Sequence, residues 1–101
     1  MVRYAVEVFA TELGESGHQA QVARVREAAH AVAAEGSDVR YLLSLFMPAD
    51  ELCLHLFESP SADTVRATAT RARLDPLRLV ETMTVPDLDA RGDAGEQRRW
   101  S

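Results

Sequence analysis

The order of strand-like and helix-like segments limits the folds open to this 101-residue chain more than any other feature. Alternating or continuous apolar residues predict strands at residues 3–10, 39–47, 52–59 and 78–85. The first of these alternates, whereas the second is almost continuously apolar, which is typical of a strand buried on both faces. Helical patterns follow the first and third strands. The sequence therefore predicts the order β-α-β-β-α-β.

Two helices with narrow stripes of alanine and valine connect these strands. The first is predicted at residues 18–35, with Ser16 as its N-terminal cap and Gly36 at its C-terminal end. The second is predicted to be capped by Ser61 and to stop at the Asp75-Pro76 pair. Because the apolar side chains of both helices are small, each helix can lie close to a sheet.

This order of elements predicts an α+β, ferredoxin-like fold. Each β-α-β unit is expected to cross over with the right hand. Two such units give a four-stranded antiparallel sheet with the strand order 4-1-3-2 and both helices on one face. Two helices cannot cover the second face, so that face must meet a ligand, another subunit, or both. Since the uncovered face is largely apolar, we expect a homodimer packed sheet to sheet about a two-fold axis.

The alternation within each strand predicts which residues share a face. The purest apolar set, Leu52, Leu54 and Leu56 with Val6 and Val8, is assigned to the helix side. The opposite side, called the open face, is then predicted to carry three residues from each of three strands. These are Ala5, Glu7, Phe9, Cys53, His55, Phe57, Leu79, Glu81 and Met83. The second strand is apolar on both sides, so its orientation stays open.

Composition excludes several classes of partner. The net charge of −5 and the pI of about 5.1 argue against nucleic acid, since phosphate binding needs concentrated basic residues. No apolar run approaches the ~20 residues of a membrane span, and the N-terminus does not have the pattern of a signal peptide. The single cysteine, Cys53, cannot form an intramolecular disulfide. We expect a cytoplasmic protein with one domain at residues 1–85 and a flexible tail at residues 86–101.

Several stretches resemble a family of small actinobacterial ferredoxin-like proteins, which are described as nickel-binding proteins or as a domain of unknown function. The resemblance covers residues 3–85. It rests on the runs Arg3-Tyr4-Ala5-Val6-Glu7, Val39-Arg40-Tyr41-Leu42, Met47-Pro48, Leu56-Phe57-Glu58-Ser59-Pro60-Ser61-Ala62-Asp63 and Leu79-Val80-Glu81. It implies a dimeric α/β barrel and, in one branch, bound nickel. That branch carries histidine where this chain has Leu43 and Val80, and cysteine where it has His55. We therefore expect weak or no specific nickel binding.

Glu7, His55 and Glu81 are the candidates for catalysis. All three are ionisable residues in the middle of strands and are predicted on one apolar face, where a charge needs a partner or water. Together they would form a general acid–base site or supply metal ligands. The alternative is that the two glutamates pair with arginines, such as Arg40 or Arg78, at a solvated interface.

The same face suggests residues that would hold a ligand. Phe9, Cys53, Phe57 and Met83 are the candidates for binding a small apolar molecule. His55 and Cys53 are the candidates for a metal ion, although Cys53 alone reads as a small buried hydrophobe. His18 and His30, on the first helix, are predicted at the surface.

Three functions are compatible with these residues. The first is a dimer that binds a small molecule or a metal ion, and the family resemblance favours it. The second is a cofactor-free enzyme of the dimeric α/β-barrel type, such as a cyclase, isomerase or oxygenase, in which histidine and glutamate move protons in an apolar cavity. The third is a structural or regulatory interaction module.

Overall fold

The strands and helices follow the predicted order. The computed structural model describes residues 1–10, 14–83 and 85. Its elements are β1 (Val2–Phe9), α1 (Glu15–Ala34), β2 (Arg40–Met47), a short 3-10 turn (Pro48–Asp50), β3 (Leu52–Ser59), α2 (Ala62–Arg71) and β4 (Pro76–Thr82). The predicted flexible tail at residues 86–101 lies outside the described residues. Within the described part, neither helix combines the length and the hydropathy that crossing a bilayer requires.

All strand pairs in the sheet are antiparallel. The strand order is β2-β3-β1-β4, so β3 and β1 are central and β2 and β4 lie at the edges. This is the predicted order 4-1-3-2 seen from the other edge. Both helices pack on one side of the sheet against a shared core. The α+β, ferredoxin-like fold is therefore confirmed.

The helix ends show one wrong cap and one correct cap. Helix α1 begins at Glu15, after Gly14, so Ser16 lies inside the first turn and is not the cap. Helix α2 has the predicted cap, because Ser61 Oγ accepts hydrogen bonds from the backbone N–H groups of Asp63 (3.1 Å) and Thr64 (3.4 Å). At the end of α1, Gly36 adopts the left-handed conformation (φ 102°) that the predicted C-terminal glycine would supply.

The end of α2 is set by its own backbone and not by proline. The helix ends at Arg71, and Pro76 is already the first residue of β4. Arg73 takes the left-handed conformation (φ 60°). The N–H of Arg73 donates to the Thr70 carbonyl and the N–H of Leu74 donates to the Ala69 carbonyl, which satisfies the last turn.

The core lies between the helices and the sheet and consists mainly of small apolar residues on the helix side. Its most deeply buried apolar side chains are Val6 from β1, Val25 from α1, Phe57 from β3 and Val65 from α2, each 0% exposed. Alanines supply most of the remaining helix contacts. The helices therefore approach the sheet closely, and the large side chains that fill the remaining space come from the strands.

The predicted faces of β3 and β4 are wrong, whereas the face of β1 is right. Val6 of β1 lies on the helix side, and the register places His55 of β3 directly opposite it. Since directly paired residues share a face, Cys53, His55 and Phe57 lie under the helices, and Leu52, Leu54 and Leu56 lie on the open face. Leu79 and Glu81 of β4 likewise pair with Val6 and Tyr4 on the helix side.

Strand register, and not the purity of one apolar set, decides these faces. Shifting a strand by one residue moves every side chain to the other side, and local alternation does not reveal which register is used. The open face accepts the three leucines because it is itself apolar. Beneath the alanine-rich helices, the large buried side chains of Phe57 and His55 fill the space between helix and sheet.

A bulge in β2 settles the orientation that the sequence left open. The register between β2 and β3 shifts between Tyr41 and Leu43. Because of this shift, Tyr41 and Ser44, three positions apart, both lie on the helix side opposite Phe57 and His55. Leu43, Leu45 and Met47 lie on the open face, opposite Leu56, Leu54 and Leu52.

Candidate functional site

His55 is the centre of a polar cluster between the sheet and α1. Its side chain is 0% exposed and both of its ring nitrogens have partners. Nδ1 lies 2.6 Å from Ser44 Oγ on β2, and Nε2 lies 2.8 Å from Gln21 Oε1 on α1. The Cys53 sulfur is 3.7 Å from Nε2. Three separate elements therefore converge on one imidazole.

The chemistry of these partners fixes the direction of every hydrogen bond. The amide oxygen of Gln21 only accepts, so the proton of the neutral imidazole is on Nε2 and Nδ1 carries the lone pair. Ser44 O–H then donates to Nδ1. The Tyr41 hydroxyl, 2.6 Å from Ser44 Oγ, donates to that oxygen. The result is a continuous chain from Tyr41 through Ser44 and His55 to Gln21.

The surroundings of His55 keep its imidazole neutral. Burial lowers the pKa of His55, and together with smaller electrostatic contributions from His18 and Arg24 it brings that pKa to about 4. Burial also raises the pKa of the Cys53 thiol, so the sulfur stays protonated and is a poor nucleophile. The cluster thus offers hydrogen-bonding groups and one buried, uncharged base.

A cavity of about 350 Å³ lies beside this cluster. Its wall contains Val22 and Gln19 of α1 and Phe46 of β2, together with Ser44, Cys53 and His18. The His18 ring lies against the Phe46 ring, with centroids 3.6 Å apart, so His18 is half-buried and only partly at the predicted surface position. His18 Nε2 is buried and has no hydrogen-bond partner among the described residues. His30 is exposed, as predicted.

The structure does not bring Glu7, His55 and Glu81 together. Glu7 lies on the open face, where Arg78 Nε donates to its carboxylate over 3.2 Å. Glu81 pairs with Tyr4 across the sheet and is exposed on the edge strand β4. His55 alone is buried beneath the helices. The alternative that a glutamate pairs with Arg78 is confirmed for Glu7.

The four residues proposed as ligand contacts are also dispersed. Cys53 borders the cavity beside His55. Phe57 is a core residue whose ring meets the Tyr41 ring edge-on, with centroids 5.8 Å apart. Phe9 is 61% exposed on the open face and Met83 is 83% exposed just beyond β4. Of the four, only Cys53 therefore borders the cavity beside the polar cluster.

Sequence reasoning missed Tyr41, Ser44, Gln21 and His18 as partners of His55. One signal was present, because Ser44 is the only hydroxyl in the otherwise apolar run Leu42-Leu43-Ser44-Leu45-Phe46. A polar residue within such a run needs a partner if it is buried. Gln21 gave no comparable signal, since glutamine is ordinary on a helix surface.

The described residues do not fit a nickel site. They include no group of three or more histidine, cysteine, aspartate or glutamate side chains placed to hold a metal ion. Leu43 and Val80, which stand where the nickel-binding branch carries histidines, face the open side of the sheet, away from His55. The single nearby thiol is protonated, whereas thiolate is the form that binds metal.

Comparison with known proteins gives a likeness in fold. No protein-family model matches the chain. No curated protein matches it either. A crystal structure of SCO4226 from Streptomyces coelicolor A3(2) superposes with a TM-score of 0.63 at 21% sequence identity, covering 83% of this chain and 99% of that one. At this level of identity the likeness supports the fold alone.

Proposed function

We propose that this chain forms a homodimer of the dimeric α/β-barrel type and binds a small, mostly apolar molecule in the cavity beside His55. The observation that carries the proposal is the cavity of about 350 Å³, in which apolar walls surround the Ser44 hydroxyl. Concave apolar sites with a few convergent polar groups are the usual form of a small-molecule site. His18 Nε2, buried without a partner among the described residues, adds a hydrogen-bonding group to this wall.

The ligand proposed here is an organic molecule and not a metal ion. Both nitrogens of His55 are already hydrogen-bonded, and the described residues hold no ligand set for a metal. A flat ring with one polar substituent would match the Phe46 and Val22 walls and the Ser44 hydroxyl. A cytoplasmic location belongs to the same proposal, and the single free Cys53 supports it.

The open face supports the dimer. Leu43, Leu45 and Phe9 are 45%, 50% and 61% exposed there. The two glutamates on this face are paired within the chain, because Glu58 pairs with Arg3 and Arg40 while Glu7 pairs with Arg78. A second copy of the same face would therefore meet an apolar surface whose carboxylates already have partners.

The cavity is tested by filling it. Val22→Trp places a large ring into the cavity wall, whereas Ala23→Trp places the same ring on an exposed position of the same helix. The probe is anilinonaphthalene sulfonate, followed by fluorescence titration. We expect Val22→Trp to weaken probe binding by at least ~10-fold, since a filled pocket loses the contact area that binds the probe. Equal binding by both variants would place the probe elsewhere and refute the proposed cavity.

A second candidate, catalysis by acid–base chemistry, is favoured by one observation. Ser44 Oγ, which borders the cavity, is within hydrogen-bonding distance of the lone pair of His55 Nδ1. A proton can therefore move between a cavity group and a buried base. Binding is the first candidate because a base with a pKa of about 4 gives less driving force for proton abstraction at neutral pH than an ordinary histidine.

A further inference from the structure

Ser44, His55 and Gln21 have the connectivity of an activated nucleophile. We propose that this trio hydrolyses small carboxylic esters, with Ser44 Oγ as the nucleophile and His55 Nδ1 as its base. The inference rests on the proposed function, because the ester would occupy the cavity beside Ser44. An activated nucleophile requires a base within hydrogen-bonding reach and a third group that orients the base. The distances of 2.6 Å and 2.8 Å meet both conditions.

Three elements hold this arrangement in place. The bulge in β2 directs Ser44 to the helix side, and the pairing of β3 with β1 directs His55 there. Gln21 reaches down from α1 and is 9% exposed. Because each side chain comes from a regular element packed in the core, the nucleophile and the base are held before substrate arrives.

Gln21 is a positioning residue. Its amide oxygen accepts the Nε2 proton of His55 and so leaves the lone pair on Nδ1, which is the nitrogen that faces Ser44. A glutamine has no charge, so it orients the imidazole but stabilises an imidazolium less than a carboxylate would. We therefore expect slow hydrolysis that is measurable only with esters that have a good leaving group.

The reaction balances without any group from outside the site except water. Ser44 Oγ bonds to the ester carbonyl carbon, the carbonyl π pair moves to oxygen, and the Oγ proton passes to His55 Nδ1. When the tetrahedral intermediate collapses, the bond to the leaving alkoxide breaks and Nδ1 returns the proton to it. Water then attacks the acyl-serine carbonyl carbon and gives a proton to His55 Nδ1. When this second intermediate collapses, the bond to Ser44 Oγ breaks, Nδ1 returns the proton to Oγ, and the carboxylic acid leaves.

Two further polar groups lie close to the nucleophile or in the cavity wall. The Tyr41 hydroxyl is 2.6 Å from Ser44 Oγ, and it borders the atom that becomes bonded to the reacting carbon. His18 borders the same cavity with a ring nitrogen that has no partner among the described residues. Of the two, only His18 borders the space that the ester would occupy, so it is the candidate for stabilising the oxyanion, and such donors typically contribute ~10²–10³-fold in rate.

The groups around His55 give the proposed reaction a distinctive pH profile. His18 and Arg24 of α1 are the positive groups near it, Cys53 of β3 is a protonated thiol, and Tyr41 of β2 is linked through Ser44. No carboxylate takes part in its hydrogen bonds, since its two ring nitrogens bond to Ser44 and Gln21. The base therefore stays unprotonated well below the usual histidine range, and hydrolysis would persist down to about pH 4.

The test uses p-nitrophenyl acetate with the full chain and two serine variants. We expect Ser44→Ala to lower kcat/KM by at least ~100-fold, in line with the loss of a nucleophile. Ser37→Ala, an exposed serine after α1, is the control and should leave the rate unchanged. Mass spectrometry of the quenched reaction should place the acetyl group on the peptide that contains Ser44.

Further measurements separate this inference from the proposed function. Gln21→Glu places a carboxylate at His55 Nε2, so the acidic limb of the rate profile should move to higher pH, which a merely structural role would not cause. Titration of Ser44→Ala with anilinonaphthalene sulfonate reports the cavity independently of hydrolysis. If that variant binds the probe but hydrolyses the ester as fast as wild type, the inference is wrong and the cavity stands. If neither Ser44→Ala nor the wild-type chain binds anilinonaphthalene sulfonate, the proposed function fails.

Discussion

The two faces of the sheet handle polar groups in opposite ways. Beneath the helices, Tyr41, Ser44, His55 and Gln21 form a hydrogen-bonded chain whose central imidazole is fully buried. On the open face, the polar groups are ion pairs between exposed arginines and the two glutamates Glu7 and Glu58. The covered face therefore holds neutral groups out of water, and the open face holds charged groups in contact with it.

This difference explains which face can carry chemistry. Burying a charge is expensive unless it is paired, whereas a neutral hydrogen-bonded chain can be buried at a modest cost. The covered face can thus keep a base and a hydroxyl in fixed positions. The open face, with half-exposed leucines between its ion pairs, is suited to a second subunit and not to catalysis.

The largest effect should come from removing the main aromatic side chain of the covered face. Phe57→Ala is expected to lower the free energy of unfolding by about 3–5 kcal/mol, because it leaves a cavity in the core. Phe46→Ala, at a 43% exposed position on the edge strand β2, is the control and should cost much less. Urea unfolding followed by circular dichroism measures both. Equal losses would mean that the two positions contribute alike to packing.

A charge within the apolar part of the open face should break the proposed dimer without unfolding the chain. Leu45→Asp introduces a carboxylate at a 50% exposed position opposite Leu54. An unpaired buried charge should weaken dimerisation by about 100-fold or more. Light scattering over a range of concentrations measures the change, with Ala33→Asp at an exposed position of α1 as control. A wild-type chain that is monomeric at micromolar concentration would remove the dimer from the proposal.

As the pH falls, the stabilising contribution of the covered face should be lost before that of the open face. His55 has a pKa of about 4 when folded and 6.5 as its ordinary value, so the unfolded chain takes up the proton first as the pH falls. Stability is complete above pH 6.5 and declines towards pH 4. From pH 7 to pH 5, about 2 kcal/mol should be lost through this group. Urea titrations at both pH values measure the loss.

His55→Gln is the matched variant for that experiment. It removes the titrating ring, so its unfolding free energy should be lower at pH 7 but should change less between pH 7 and pH 5. The Arg3 and Arg40 guanidinium groups hold the pKa of Glu58 below its ordinary value of 4.5, so loss of that ion pair begins only at more acidic pH. An undiminished pH dependence in His55→Gln would assign the effect to other groups.

The smallest effect should come from the ion pairs of the open face. Glu58→Gln removes the negative charge that pairs with Arg3 (3.1 Å) and Arg40 (2.6 Å), whose side chains are 45% and 67% exposed. Exposed pairs contribute little to stability and are screened by salt. We expect the melting temperature to change less than for any substitution above, and less still in high salt. A loss as large as that of His55→Gln would mean that both faces depend equally on polar contacts.

The sequence predicted the fold because that information is local. Alternating residues, the Ser61 cap and the glycine after α1 each act within a few positions, and the order of the elements leaves few topologies. The end of α2 was less well predicted, since the arginine at position 73 adopts a conformation that glycine usually supplies.

The site was predicted only in part because its geometry depends on distant pairing. The position of His55 within an apolar strand predicts it as a site residue, but the sequence predicts its companions on the wrong face of the sheet. The register between β1 and β3 and the bulge after Tyr41 decide those companions, and neither leaves a local pattern. Gln21 became a partner only through the packing of α1 on the sheet.

The pairing of β1 with β3 also has a consequence for how fast the chain folds. Arg3 and Glu58 are 55 positions apart, yet they lie opposite each other on the two central strands. The hairpin of β2 and β3 joins near neighbours, so it can form early, whereas β1 must first close a long loop. During that interval the core residues of β3, such as Phe57, are uncovered and one edge of β3 has no strand beside it. Refolding should therefore yield less native protein as the concentration of the chain is raised.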